Sequence, residues 1–472
     1  MWFTMAGETL PFSWMPPSRT GTGRKECLYM NDLRIRGGLV ADPEKKTLVE
    51  ASVTISDGRI VHVGKDEGGS TEVLDATGCI VCPGFVDTHM HDEELDDPHS
   101  VERALLRQGV TTALAGNCGS GPLLGTIRPK RQTPWLNLGY LTGHRILRES
   151  VGVNDIYRPA TPDETTKMQV LLERELSEGS FGLSLGLEYV PNTDPAEIAA
   201  LADIVAKFPH RWISVHIRFD GPRCLEAIRE AIDIAARHHV RVQISHFGSM
   251  TAFGQLQTAL DMVDQAYATG TDVTFDCYPY AAFCTSVGSA VFDPGFEERW
   301  NKDVGALEAG SGKFKGQRLT KTMFEEMRSE TPTALIIAHV LNEPEVRTCL
   351  RHPRCAIASD AVLRNGEGHP RAAGTFPRGL RMLREEGLSW PDALAHATSI
   401  PAEMTWLDRG TLRPGSTADL VLFEPERFTD KATFSDQLAP PEGIRAVLLG
   451  GRVAVREGTI TEEPLGTFLL RR

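Results

Sequence analysis

Between residues 78 and 360, short apolar runs alternate with amphipathic stretches, and this alternation constrains the fold more than any other feature of the chain. The runs are GCIVCPGFVDT, VTTALAG, WLNLGYLT, FGLSLGLE, WISVH, VRVQISH, DVTFDCY, TALIIAH and CAIASD. Segments such as AEIAALADIVAKF, CLEAIREAIDIAARH and FGQLQTALDMVDQAYATG carry the helical period between them. A βα repeat of this kind predicts the α/β class, with a (β/α)8 TIM-type barrel over residues 83–412. Such a barrel closes with eight strands, one fewer than the nine runs. TALIIAH is the expected supernumerary, because it lies in a less regular stretch, 283–345, that reads as an insertion.

The two ends follow a different grammar. LRIRGGLV, ASVTISDGRIVHVG and TEVLDATG are short alternating segments broken by Gly and Asp-Gly, and ADLVLFEPE and IRAVLLGGRVAVREG repeat the pattern near the C-terminus. Residues 30–82 and 413–472 are therefore expected to build one small β-sandwich beside the barrel. Residues 1–29 mix Pro, Gly, Ser and isolated aromatics without periodicity and read as an irregular extension, with Met30 as a candidate natural start.

Composition narrows the partners. A net charge of -13 without a dominant block of Lys and Arg argues against a nucleic-acid partner and favours a small molecule. The nine cysteines are odd in number and irregularly spaced, which does not suit a disulfide framework and points to a reducing cytoplasm. No signal-peptide pattern and no apolar run of about 18 residues is evident, so no membrane association is expected. The oligomeric state is not legible.

His89 and His91 directly follow an apolar run. Residues two apart on an extended strand point the same way, so both imidazoles can address one ion. Cys118 closes the second run in AGNCG, His216 closes WISVH, His246 closes VRVQISH and Asp360 closes CAIASD. In a barrel of parallel strands these ends share one rim, where sequence-distant ligands become neighbours. Taken singly, each has a bland alternative: a wet surface His-X-His, a buried cysteine, two ordinary histidines, a helix N-cap aspartate. Joint placement at strand ends favours a site for one or two zinc ions. Zinc generates hydroxide near neutral pH and polarises a carbonyl, which are the needs of amide hydrolysis. Asp360 is the candidate catalytic proton carrier, its alternative being a purely ligating role. Arg371 has the planar fork suited to a carboxylate, and Tyr278 and Tyr280 follow a strand that should end on the same rim. Tyr189 and His144 complete the substrate-binding candidates, although His144, like His339, could equally be a buried, hydrogen-bonded histidine.

These motifs resemble the D-aminoacylase branch of the amidohydrolase superfamily. The resemblance runs from Leu33 to the C-terminus and is carried by PGFVDTHMHDE, QGVTTALAGNCGSG, GHRILR, FGLSLGLEYVP, HIRFDG, QISH, DVTFDCYPY, IASDAVLRNGEGHPRAAGTFPR and GTLRPGSTADLVLF. It implies a barrel, a small β-sandwich, and a zinc site bridged by a cysteine. One ion would take Cys118, His216 and His246; a second, weakly held, would take His89, His91 and Asp360 with Cys118 shared. It also implies that Asp360 is catalytic, and that Arg371 and a tyrosine near 278–280 hold the α-carboxylate of an N-acyl-D-amino acid.

The chain departs from that pattern at Gly248, where many relatives carry a carboxylate-binding lysine, and in a shorter segment before Gly143 and His144. Both point to a drifted substrate, unless Arg223 or another cation restores the contact. Cyclic-amide opening of the dihydroorotase or hydantoinase type is the alternative within enzymes. A non-catalytic metal-binding scaffold is the alternative outside them, but it predicts losses among the ligands, and none is lost.

Overall fold

The apolar runs form strands whose side chains have nowhere wet to go. In the computed structural model, which describes residues 31–65, 69–92 and 100–472, eight such staves follow one another. They are β1 (Phe85–Met90), β2 (Val110–Ala115), β3 (Asn137–Tyr140), β4 (Gly182–Gly186), β5 (Trp212–His216), β6 (Arg241–Ile244), β7 (Val273–Cys277) and β8 (Cys355–Ile357). All of their residues are buried except Arg241. Burial on both faces is characteristic of parallel strands covered by helices. The expected extension over 1–29 lies outside the described residues.

The staves pair in parallel as two sheets, β1-β2-β3 and β8-β7-β6-β5-β4, and Thr142–Gly143 adds to β4 as the outer strand of the second. Only Leu141 separates β3 from Thr142–Gly143, and its amide donates to Ala115 at 3.0 Å. At the other edge, Met90 and Ala361 form a parallel bridge. Two hydrogen bonds flank it, Asp360 N to His89 O at 2.7 Å and His91 N to Ala361 O at 2.8 Å. The helices between staves bury one face each. In Cys224–His238 the buried residues include Ala227, Ile228, Ala231, Ile234 and Ala235, the three-and-four spacing of a single helical stripe.

One run departs from its reading in sequence, and the expected supernumerary stands apart from the staves. GCIVCPGFVDT is not one strand. It divides at Gly84, so that Ile80–Pro83 pairs antiparallel with Leu420–Phe423 while β1 joins the staves. A Cβ at Gly84 would stand 2.1 Å from Thr111 Oγ1, so only glycine lets the chain pass so close to β2. TALIIAH does contain a strand, Leu335–Ala338, but it pairs antiparallel with Phe283–Ser286 and Leu307–Ala309 in a separate three-stranded sheet. That sheet packs with the helices Phe296–Trp300 and Lys321–Glu330 around its own core of Val291, Phe292, Phe296, Trp300, Phe324 and Ile336.

Strands from both ends of the described chain share one nine-stranded sheet. Asn31–Asp42 pairs antiparallel with Thr47–Ser56 and parallel with both Ser70–Asp75 and Ile80–Pro83; Leu420–Phe423 and Ile444–Leu449 extend it. A bulge between Ile35 and Gly38 lets the long first strand serve two partners on one side. The last residues leave this sheet and run along the staves: Leu138 N donates to Thr467 O at 2.9 Å and Leu469 N to Leu138 O at 2.8 Å. Among the described residues no helix is long and apolar enough to cross a membrane.

Candidate metal centre

The ends of β1, β2, β5, β6 and β8 deliver their side chains to one place. His89, His91, Cys118 and Asp360 offer ligand atoms all within 4.8 Å of one another, and so do Cys118, His216 and His246. Cys118 belongs to both sets. Its Sγ lies 3.3 Å from His89 Nε2 and 3.6 Å from His246 Nε2. Asp360 Oδ1 lies 3.4 Å from His89 Nε2 and 3.2 Å from His91 Nε2. Every member is buried except the half-buried His91.

The backbone is bent to achieve this. Cys118, His246 and Asp360 adopt left-handed φ angles of 52°, 35° and 47°, conformations that cost a non-glycine residue on the order of 1–3 kcal/mol. Each sits where the chain leaves a stave, and the turn swings the side chain back over the rim.

Electrostatics match a cation-binding set. Burial opposes ionisation of Cys118, yet the neighbouring His89, together with the imidazoles of His216 and His246, holds its thiol far below its usual range. Burial also opposes a charged His89, but Cys118, Asp276 and Asp360 outweigh it and raise its pKa to about 10. At Asp360, Arg371, His89 and His91 overcome burial and hold the carboxyl well below the usual range. The site thus joins an anionic sulfur and an anionic carboxylate to imidazoles, a donor set suited to zinc. His216 supplies the most direct test of fit. Its Nε2 meets Glu188 Oε2 at 2.9 Å, while its buried Nδ1 has no hydrogen-bond partner among the described residues.

Several supporting groups are not evident from the sequence alone. Glu188 stands in GLEY, next to the candidate Tyr189. Asp276, in FDCY of β7, is 3.4 Å from His89 Nδ1 and accepts from His246 N at 2.8 Å. Ser249 Oγ is 2.9 Å from His246 Nδ1. Polar residues directly past or inside an apolar stave, facing histidines on neighbouring staves, are the available signal.

A cavity of about 320 Å³ opens onto the set and is lined by His91, Cys118, Asp360, Arg371 and Tyr189, together with Arg145 and Arg364. The two last arginines are not among the candidates read from sequence. Arg371 Nη1 lies 2.8 Å from Asp360 Oδ2, its Nη2 donates to Cys284 O at 3.0 Å, and its guanidinium lies over the Tyr278 ring. Tyr278 faces a smaller compartment beside His216 and His246. Tyr189 places its ring 4.5 Å from that of His216 and shares a 3.2 Å hydrogen bond with Thr285.

Other candidates lie elsewhere. Tyr280 donates to Pro370 O at 3.3 Å and packs edge-on against His369, away from the cavity lining. His144 is buried 2.7 Å from Glu197, which also binds Arg148, and does not line the cavity. His339 pairs with Glu308 at 3.1 Å. Arg223 is exposed, paired with Glu226 and stacked on Phe219, so it does not stand in for a missing lysine. A Cβ on Gly248 would lie 2.7 Å from Cys277 Sγ, so position 248 faces packed sulfur rather than the cavity.

Comparison with known proteins places the chain in a family. The model of the amidohydrolase family matches residues 225–455. An N-acyl-D-aspartate deacylase of Alcaligenes xylosoxydans xylosoxydans is 30% identical, over 89% of this chain and 91% of its own. An N-acyl-D-glutamate deacylase of the same organism is 31% identical, over 93% and 96%. The crystal structure of an N-acyl-D-glutamate deacylase from Bordetella bronchiseptica, complexed with zinc and a phosphonate inhibitor, is 26% identical and superposes with a TM-score of 0.84, covering 93% of this chain and 100% of that one. With likeness of this extent in sequence and fold, the chain belongs to the D-aminoacylase branch of the amidohydrolase family.

Proposed function

We propose that this protein is a zinc-dependent hydrolase of the exocyclic amide of N-acyl-D-amino acids, acting at the rim of a closed (β/α)8 barrel. The observation that carries the reading is the shared Cys118, which joins two ligand sets and lines one cavity with Asp360 and its partner Arg371. The continuous segment at Leu141 and the bridge between Met90 and Ala361 support closure of the staves into that barrel. The shared nine-stranded sheet supports a separate small unit built from both ends of the chain. Eight buried, unpaired cysteines among the described residues support the reducing compartment expected from sequence.

Cys118, His216 and His246 would hold one ion; His89, His91 and Asp360, with Cys118 shared, would hold a second. Zinc bound there would act as a Lewis acid on the amide carbonyl and on the attacking water. Asp360, ionised and at the edge of the set, takes the proton of that water and returns it to the departing amine nitrogen. Arg371 is within reach to exchange its contact with Asp360 for the substrate's carboxylate, with Tyr278 packed beneath the guanidinium. Arg145 and Arg364 line the same cavity and would suit a substrate with a second anionic group.

Hydrolysis rates across N-acetyl-D-amino acids, their L-enantiomers and small cyclic amides test the reading. Turnover of the D-series is expected, fastest for the aspartate and glutamate derivatives. Turnover confined to hydantoins or dihydropyrimidines would replace it with the cyclic-amide reading.

A further inference from the structure

The proposed chemistry leaves Glu188 without a task, yet its placement is specific. It follows β4 and is buried, with Oε2 at 2.9 Å from Nε2 of His216. An imidazole whose Nε2–H is held by a carboxylate keeps its other lone pair for a cation, and the carboxylate fixes the ring's tautomer, orientation and basicity. The partnerless Nδ1 of His216 is the atom so reserved.

Glu188 is itself held from outside the staves. Arg299 Nη1 lies 3.1 Å from Glu188 Oε1, and Arg299 Nε lies 2.8 Å from Asp220 Oδ1. Asp220, buried after β5, also accepts a 2.7 Å hydrogen bond from the indole of Trp300. Arg299 and Trp300 belong to the helix Phe296–Trp300, part of the 283–345 segment that interrupts the βα order. Two buried carboxylates side by side repel each other, and a single guanidinium between them removes that repulsion while fixing both. Arg299 is anchored in turn by donating to Val291 O at 2.6 Å.

We infer that Glu188 is the positioning residue for His216 as a metal ligand, and that Arg299, brought in by the 283–345 segment, holds Glu188 in place. The segment is then more than a wall of the cavity: metal retention at Cys118, His216 and His246 depends on it. The inference rests on the reading of those three residues as a metal set.

The full-length protein, stripped of metal, is titrated with cobalt(II), whose thiolate charge-transfer and ligand-field bands report on a sulfur-containing site, and zinc affinity is measured against a chromophoric chelator. Glu188→Gln is expected to weaken zinc roughly 10- to 100-fold and to alter the cobalt ligand-field bands. Arg299→Leu should shift both in the same direction, with Arg299→Lys recovering much of the loss. Thermal unfolding of the metal-free variants separates metal retention from folding. If Glu188→Gln fails to fold, Glu188→Asp, with its shorter reach, replaces it and should fall between wild type and Arg299→Leu. Wild-type affinity and an unchanged cobalt spectrum in the folded Glu188 and Arg299 variants would overturn the inference. Absence of a thiolate band in the wild-type protein would instead overturn the metal reading beneath it.

Discussion

Asp360 is central to the proposed chemistry, because its two oxygens face different partners. Oδ1 looks at the histidines of β1 and Oδ2 at Arg371. Asp360→Asn keeps an oxygen for ligation and the approximate shape, but cannot carry a proton. We expect kcat to fall by roughly 10²- to 10⁴-fold, with zinc at Cys118, His216 and His246 retained; elemental analysis and rates on the same preparation decide this. A near-normal rate in the Asp360→Asn variant would remove the proton shuttle. At this scale the sequence is eloquent about the candidate ligands, which the structure brings together, and silent about what holds them. His89, His91, Cys118, His216, His246 and Asp360 each follow an apolar run, a position visible in the letters alone. Glu188 and Asp276 do not stand out, since their partners are chosen by stave adjacency rather than by spacing. The left-handed turns at Cys118, His246 and Asp360 are equally illegible, because the modest preference of His and Asp for a left-handed φ does not single out one residue, and Cys has none.

Strands and helices are legible as elements, but their assignment to sheets is not. LIIA has the apolar, β-branched character of a stave; its place in the irregular stretch 283–345 marks it as the supernumerary, but local pattern cannot tell which sheet receives it instead. Its partners, Phe283–Ser286 and Leu307–Ala309, lie in a stretch whose own strands are too short to announce themselves. The undivided reading of IVCPGF fails for a related reason: both halves are apolar, and only the close approach at Gly84 separates the strand of the terminal sheet from β1. That approach makes a prediction. In Gly84→Ala the new methyl meets the Oγ1, Cγ2 and Cβ of Thr111, all within 2.7 Å, and β1 and β2 are buried on both faces, so neither yields easily. Overpacking of this kind costs about 1–3 kcal/mol. Denaturant unfolding should show that loss, with partial recovery in the double variant Gly84→Ala, Thr111→Ser; an unchanged midpoint for the single variant would mean that the two strands can separate freely.

Across the whole molecule, residues far apart in sequence are tied together by the C-terminal segment. After the last sheet strand the chain returns to the staves, where Gly466 N donates to Pro134 O and Arg471 N to Gly179 O, each at 2.9 Å. Phe468 stacks on Tyr140 at 5.8 Å, and the Tyr140 hydroxyl donates to Asp92 at 2.9 Å, one residue beyond the His91 of the metal set. Asp92 in turn holds Arg131 at 3.0 Å. The tail therefore buttresses the stretch that carries His91 through one ring and one carboxylate. Truncation after Glu463 would uncover Tyr140 and Leu138 and discard the half-buried Phe468, Leu469 and Leu470, a loss of roughly 3 kcal/mol at about 1 kcal/mol for each half-buried side chain. The effect on metal should be uneven. His91 belongs only to the set with His89 and Asp360, whereas His216 and His246 stand at the ends of β5 and β6, outside the series of contacts from Phe468 through Tyr140 to Asp92. The truncated protein should bind its first zinc with near-normal affinity and its second more weakly, read by chelator competition alongside the unfolding midpoint. Equal weakening of both ions would show that the tail acts on the staves as a whole rather than through Tyr140 and Asp92.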